Sequence, residues 1–490
     1  MRIHANSAIS LCTASRRLIG FGHSATACSA LLFAGLLSAC GGSMAPGGVQ
    51  TPSAATTPVQ VNLGDSPADW MLAFSMNITS MTLTGNAGPV NVVSTPVPME
   101  MMRTMGAMQP LSMIAVPQGT YTGATITIGS ATVMYVDPVS KALTQQTLSG
   151  PMLSTIAFSA PITAGTTPMA MNFDLDLAAS VSGQAGALNM NPVFHMSSAL
   201  QGSGNPASYS DGGVQQMMGV VSSTTGSSFA MTSMQAAQAL TFMTSASTIF
   251  SGTGMSSMGS MSAGMLLMVD ATLQSDGSLM ATHVESMMGS GGAMGEGMLT
   301  SVTGQPATQL ALVMQNGVGA GMMASAFSAG ITVNLSPSTS YSIDAESVDL
   351  TQVPFTPVFD ASHIYAGQAV MPVSASGMMS GGMGGSMMGG SPMAGSLTAS
   401  AVELEPQGLS GTNSAAISSG TTTSFTLTLP ADSAFTALTG ASTVTIYPQS
   451  GTNLASSAPI AAGSTVHVFG LVFFDGGQWK MVPASISMAD

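Results

Sequence analysis

The 490-residue sequence predicts an all-β protein, and three observations carry that expectation. First, stretches such as "FSMNITSMTLTG", "TYTGATITIGSATVMYV" and "TPMAMNFDLDLAASV" alternate apolar with polar residues at period two and are rich in β-branched side chains. Second, Gly and Pro punctuate these stretches, while helical periodicity bounded by capping residues is scarce. Third, hydrophobic residues make up 45% of the chain and charged residues only 5%. A chain this apolar buries a core rather than staying disordered. Ser, Thr, Gly and Ala carry its surface.

The first element is a leader, residues 1–39. Arg2, Arg16 and Arg17 form a positive start, and Leu18 to Ala39 is an apolar or small-residue run that is densest at Leu31–Leu37. The run closes in Leu37-Ser38-Ala39-Cys40, after which the composition turns to Gly, Ser, Pro and Thr. A positive start, an apolar centre and a small-residue end describe a secretory signal. The segment resembles a bacterial lipoprotein signal, which is cut before the cysteine so that the thiol can carry a diacylglycerol. That resemblance implies lipidation at Cys40 and palmitate-type acyl chains as the contact with the membrane. A spanning helix of roughly 20 residues is the competing reading, but Gly20, Gly22, His23 and Ser24 dilute the run and no basic cluster follows it. Gly41 and Gly42 follow Cys40 where an aspartate would signal retention, so the expected location is the outer membrane, facing the periplasm or the exterior. Several acyl chains, each CH2 contributing about 0.8 kcal/mol, anchor firmly without a spanning helix.

Charge and cysteine content then close several classes. Cys12 and Cys28 lie in the leader, so the mature chain keeps Cys40 alone and forms neither a disulfide nor a thiolate metal site. All 20 acidic residues follow Cys40, against Arg103, Lys141 and Lys480. A surface for nucleic acid needs Lys and Arg to displace counterions, so a nucleic-acid partner is excluded.

Residues 40–58 read as a flexible Gly/Pro/Ser/Thr tether, and residues 59–198 as a β-sandwich. Here Asp65-Ser66-Pro67-Ala68-Asp69, Val116-Pro117-Gln118-Gly119-Thr120-Tyr121-Thr122 and Asn172-Phe173-Asp174-Leu175 follow one another between strands. Over residues 59 to 190 this pattern resembles a bacterial lipoprotein family catalogued as domain of unknown function 4382. The segment "MEMMRTMGAMQPLSM" departs from that family's pattern.

After residue 214 the chain repeats itself, which marks an array of like modules. The copies run 214–290, 295–407 and, more divergently, 408–490. Gly264, Gly367 and Gly463 align, each after Ala and before a strand, and Asp276-Gly277 aligns with Asp475-Gly476 as hairpin turns. The unit of five or six short strands resembles the family catalogued as domain of unknown function 5666. That resemblance implies three small, closed, OB-like β-barrel repeats, a form that leaves no exposed strand edge.

Methionine is the compositional extreme, at 44 residues. In the second copy a Met/Gly insert, residues 377–395, occupies the place of the hairpin tip. Thioethers select soft ions, so Met255, Met258 and Met261, spaced by three, and Met378, Met379, Met383, Met387, Met388 and Met393 are soft-metal candidates for Cu(I) or Ag(I). Met102 and Met105 share the spacing. The competing reading is that flexible Met fills core gaps and loops or buffers oxidants. Asp174 with Asp176, and His283 with Glu285, each share a strand face, although a solvated face is the simpler reading. His195, His363 and His467 lack metal-spaced companions in the sequence and read as surface or strand residues. No G-x-S-x-G, H-E-x-x-H or P-loop occurs. The chain is therefore expected to be a non-enzymatic envelope lipoprotein with a binding or structural role, without a cofactor and with a glycan or another envelope protein as partner. The alternative is a Met-rich copper- or silver-binding or oxidant-buffering protein.

Overall fold

The computed structural model describes residues 55–488 except 67, 103–107, 138, 203–211, 234, 253, 289–292, 320–327, 376–392 and 455–457. Cys40 and Met105 lie outside the described residues, as do Met378, Met379, Met383, Met387 and Met388. The all-β class holds, with only short helical turns among the strands.

The N-terminal module contains β1 (Thr56–Ser66), β2 (Met71–Gly85), β3 (Val90–Val93), β4 (Val97–Glu100), β5 (Met108–Pro117), β6 (Gly119–Val136), β7 (Leu143–Ala164), β8 (Met169–Asp176), β9 (Val181–Gln184), β10 (Ala187–Met190) and β11 (Phe194–Leu200). One sheet runs β11-β8-β1-β5 and a second β3-β2-β6-β7. Both contribute to a single core that includes Val59, Val61 and Leu63 from β1 and Ile78, Met81, Ile126 and Ile128 from the other sheet. β1 begins at Thr56, within the stretch expected to be tether.

Strand β1 is buried on both faces. Opposite its valines it carries Gln60 and Asn62, and the cost of burying amides is offset by pairing them. Gln60 Nε2 donates to Asn62 Oδ1 at 2.9 Å, and Asn62 Nδ2 to Asn172 Oδ1 at 2.8 Å. The Pro-x-Gly-x-Tyr motif also finds its physical reason. Tyr121 is fully buried and its hydroxyl donates to the Pro117 carbonyl at 2.8 Å, closing the corner between β5 and β6.

The first repeat comprises β12 (Val214–Thr224), β13 (Ser228–Thr232), β14 (Leu240–Met243), β15 (Ile249–Gly252), β16 (Leu266–Leu273) and β17 (Leu279–Met288). Strand order β14-β13-β12-β16-β17 closes on itself because β14 also pairs with β17, and β15 adds in parallel to β17. This is a five-stranded closed barrel.

The second repeat comprises β18 (Ala293–Thr303), β19 (Gln309–Gly319), β20 (Gly330–Asn334), β21 (Ser340–Ile343), β22 (Ala369–Ser374), β23 (Met393–Thr398) and β24 (Ala401–Leu404). Here the closing strand is interrupted: β23 pairs in parallel with β20, as β17 pairs with β14 in the first copy, and β24 pairs with β22 and β21. The Met/Gly insert lies between β22 and β23, and Met393–Gly395, assigned to it from sequence, belong to β23.

The third repeat, β25 (Gln407–Asn413), β26 (Phe425–Thr428), β27 (Thr443–Ile446), β28 (Asn453–Leu454), β29 (Thr465–Asp475) and β30 (Gln478–Met488), closes through β27 and β30.

The aligned glycines serve one purpose in all three copies. Gly264, Gly367 and Gly463 sit at φ of 88°, 91° and 83°, a left-handed turn into the fourth barrel strand that a side chain would strain. Each barrel has its own core. At least twenty of the 44 methionines are buried, so Met is here first of all a packing residue.

The modules interlock through buried polar contacts. Gln235 of the first repeat accepts from the Glu100 amide at 3.2 Å and donates to Asn316 of the second at 3.1 Å. Gln315 donates to the Leu72 carbonyl at 2.7 Å.

A carboxylate and histidine cluster at the candidate functional site

Repeats one and two meet through equivalent strands. Met218, Leu266 and Met268 from β12 and β16 pack on Met294, Met371 and Val373 from β18 and β22. Beside this apolar wall the barrel faces carry acids.

Strand alternation puts Asp270 on β16 and His283 and Glu285 on β17 toward the seam. Glu403 of β24 comes from the other side, and Asp344 and Glu346 from the chain just after β21. His283 Nδ1 lies 3.3 Å from Glu346 Oε2 and 3.9 Å from Asp270 Oδ2, and the donor atoms of the three residues all fall within 4.8 Å of one another. The other ring nitrogen, Nε2, is 2.7 Å from Ser251 Oγ on β15. This fixes the ring with Nδ1 toward the acids.

Gln216 holds the two repeats in register at this point. It sits at φ 47°, at a break in the β12–β16 ladder. Its backbone N–H donates to Asp270 Oδ1 at 2.7 Å, and its side chain crosses the seam to donate to Asp344 Oδ2 at 3.1 Å. A non-glycine residue at positive φ costs about 1–3 kcal/mol and persists where its surroundings hold it. Two hydrogen bonds to carboxylates do so here.

The electrostatics follow from one-sided charge. Burial, then the Glu346 and Glu403 carboxylates, push the Glu285 carboxyl up to about 7, with His283 opposing. Burial likewise raises Asp344, Glu346 and Glu403, each with a neighbouring acid adding to it. The two described lysines, Lys141 and Lys480, lie elsewhere, beside Asp137 and Asp475. The cluster can therefore share and release protons.

The sequence singled out His283 and Glu285 but not Asp270, Asp344, Glu346 or Glu403. One signal was present. Aligning "SLMATHVES" with "SLTASAVEL" places Glu285 and Glu403 at the same position. The parallel ladders agree, pairing Ser251 with Glu285 and Ser342 with Glu403.

Other expected residues fall apart from this cluster. Asp176 accepts from the Ala179 amide at 2.8 Å and lies 3.6 Å from His195 Nε2, a companion that only the β8–β11 pairing supplies. Asp174 stands opposite His195 in that ladder. His363 Nδ1 is 2.8 Å from Asp360 Oδ1. His467 is a strand residue but buried, with Nδ1 3.2 Å from Ser410 Oγ. Met255 and Met261 are buried in the first barrel's core with Met258 packed against it, and Met102 is buried in the N-terminal module. A cleft of about 350 Å3 opens between β7 and β11, lined among others by Phe158, Ile162, Met169, Met196 and Leu200.

Among known proteins, residues 218–285 match a family model described as a domain of unknown function, DUF5666. The match covers most of the first barrel, including Asp270, His283 and Glu285. No curated protein and no solved structure matches the chain. Among the described residues, no helix is long and apolar enough to cross a membrane.

Proposed function

We propose that the protein is a lipid-anchored component of the bacterial envelope, held at Cys40 in the outer membrane, which presents an array of β modules as a non-enzymatic binding or structural element. The observation that carries this reading is the order along the chain: a lipoprotein-like signal ending at Cys40, a short Gly/Pro tether, then modules fused through buried amides. The N-terminal module is read as akin to the lipoprotein family of domain of unknown function 4382, on its Asp-x-Pro-x-Asp and Pro-x-Gly-x-Tyr motifs. Its cleft between β7 and β11 offers apolar and hydroxyl-bearing walls for an envelope protein or a glycan chain.

The test is fractionation and mass spectrometry of the protein from its native membrane. An acylated amino terminus at Cys40, lost together with membrane association in Cys40→Ser, is expected. A full-length chain with its leader intact in the membrane fraction would overturn the reading. Copper handling remains the second function class, carried by the insert methionines. Met255, Met258 and Met261 serve it poorly because they fill a core.

A further inference from the structure

We infer that the seam between the first two repeats is a proton-operated latch, closed while its carboxyl groups hold protons in mildly acidic surroundings and loosened as they ionise. This goes beyond the envelope role, since nothing in that reading requires the modules to respond to pH.

The inference stands on what faces what. From the first repeat come Asp270 on β16 and His283 and Glu285 on β17, with the uncharged Gln216 of β12 and Ser251 of β15. From the second come Asp344 and Glu346 after β21 and Glu403 on β24, with Ser342 beside it. Five carboxyl groups thus face one imidazole, and no described lysine or arginine joins them. Glu285 and Glu403, the repeat-equivalent pair, oppose each other from the two barrels. Like charges brought together at a half-buried seam repel unless protons neutralise some of them.

The direction follows from linkage. The Glu285 carboxyl keeps its proton up to about pH 7 in the folded chain, against an ordinary glutamate value of 4.5. Between those values the folded state holds a proton that the unfolded state has released. Stability is therefore lost as pH rises through that window. The seam should be tightest near pH 5 and loosest at pH 8. The apolar patch of Met218, Met268, Met294 and Met371, together with the Gln235–Asn316 bond, keeps the repeats associated, so the response is a local opening.

Hydrogen exchange by mass spectrometry on the purified full chain, at pH 5 to 8 and corrected for intrinsic exchange rates, reads this directly. Protection of peptides covering 279–286 and 401–404 is expected to fall about tenfold from pH 5 to pH 8, a discounted effect because water screens a half-buried group. Peptides from β29, outside the seam, should stay level. Glu285→Gln, which mimics the protonated acid, should keep at pH 8 the protection that the natural chain shows at pH 5. If that variant fails to fold, Glu403→Gln substitutes, and the natural chain's own profile still decides. A level profile in the natural chain, or a Glu285→Gln profile parallel to it, would overturn the latch. So would a pH response that vanishes on chelation and returns with added zinc or calcium chloride, because a metal ion and not protons would then balance the charge.

Discussion

The two junctions between successive barrels differ sharply although the barrels share one topology. The first is faced with acids and methionines, and the second with aromatic rings. Phe355 packs at 5.7 Å on Phe473 and 5.4 Å on Tyr447, while Trp479 lies 5.0 Å from both Phe435 and Phe474 and 6.2 Å from Tyr365. The ladders explain the contrast. Val284, Val402 and Ile486 occupy one position of the last barrel strand, paired with Phe250, Tyr341 and Leu454. The next residue outward is Glu285, Glu403 and then Ser487. Inward positions repeat because they fill the same barrel, while outward positions diverge because each meets a different neighbour. The difference teaches that the array's chemistry sits in the seams.

The comparison breaks most visibly at Trp479. It is 8% exposed and anchors the aromatic seam, so Trp479→Ala should cost about 3–5 kcal/mol. Exchange protection should collapse through β29 and β30, while Trp70 fluorescence should still report a folded N-terminal module. Trp479 belongs to the third barrel's core as well as to the seam, so an unchanged third repeat would mean that the remaining core residues sustain it without this ring.

Gln235 tests whether polar contacts fuse the modules. Its two bonds join the N-terminal module, the first repeat and the second. Gln235→Ala removes one of the two donors to the buried Asn316 amide oxygen, which keeps the Gly317 N–H, and removes the side-chain acceptor of the Glu100 N–H, at about 1–3 kcal/mol. Urea denaturation should then separate into two transitions. A single transition at the original midpoint would show that the apolar contacts alone couple the modules.

Much of this architecture was legible in the sequence. Period-two alternation announced the strands, and the aligned Gly264, Gly367 and Gly463 marked a turn that proves left-handed in every copy. The seam was not legible. Asp270, Glu346 and Glu403 are separated by scores of residues, and alternation tells which side chains point outward but not which module covers them. The same limit applies to His195 and Asp176, joined only because β11 folds back on β8. It also applies to Met255, Met258 and Met261, whose spacing suggested soft-metal donors and whose burial makes them core. Replacing those three together with Leu conserves volume and should cost less than about 1.5 kcal/mol. A Cu(I) titration against a competing chelator should give the same stoichiometry before and after, whereas loss of a site would return them to the soft-metal reading.

Lys480 sharpens the contrast at the smallest scale. It pairs with Asp475 and lies 4.7 Å from the centre of the Phe355 ring, making it the one lysine or arginine among the described residues of either seam. The Asp475 side chain is about half exposed, so water and salt screen the pair, and the contact over Phe355 adds only modestly. Lys480→Met keeps the stem's packing and should cost no more than about 1 kcal/mol, shrinking as salt is raised. Neutralising a charge here weakens the seam slightly at any pH between 5 and 8. In the first seam, Glu285→Gln should instead strengthen it, and only toward the alkaline end. Opposite signs in parallel denaturation series at pH 5 and pH 8 would show that one seam is balanced and the other carries unbalanced negative charge. Matching signs would mean that the excess of carboxylates between repeats one and two is already neutralised within the folded chain.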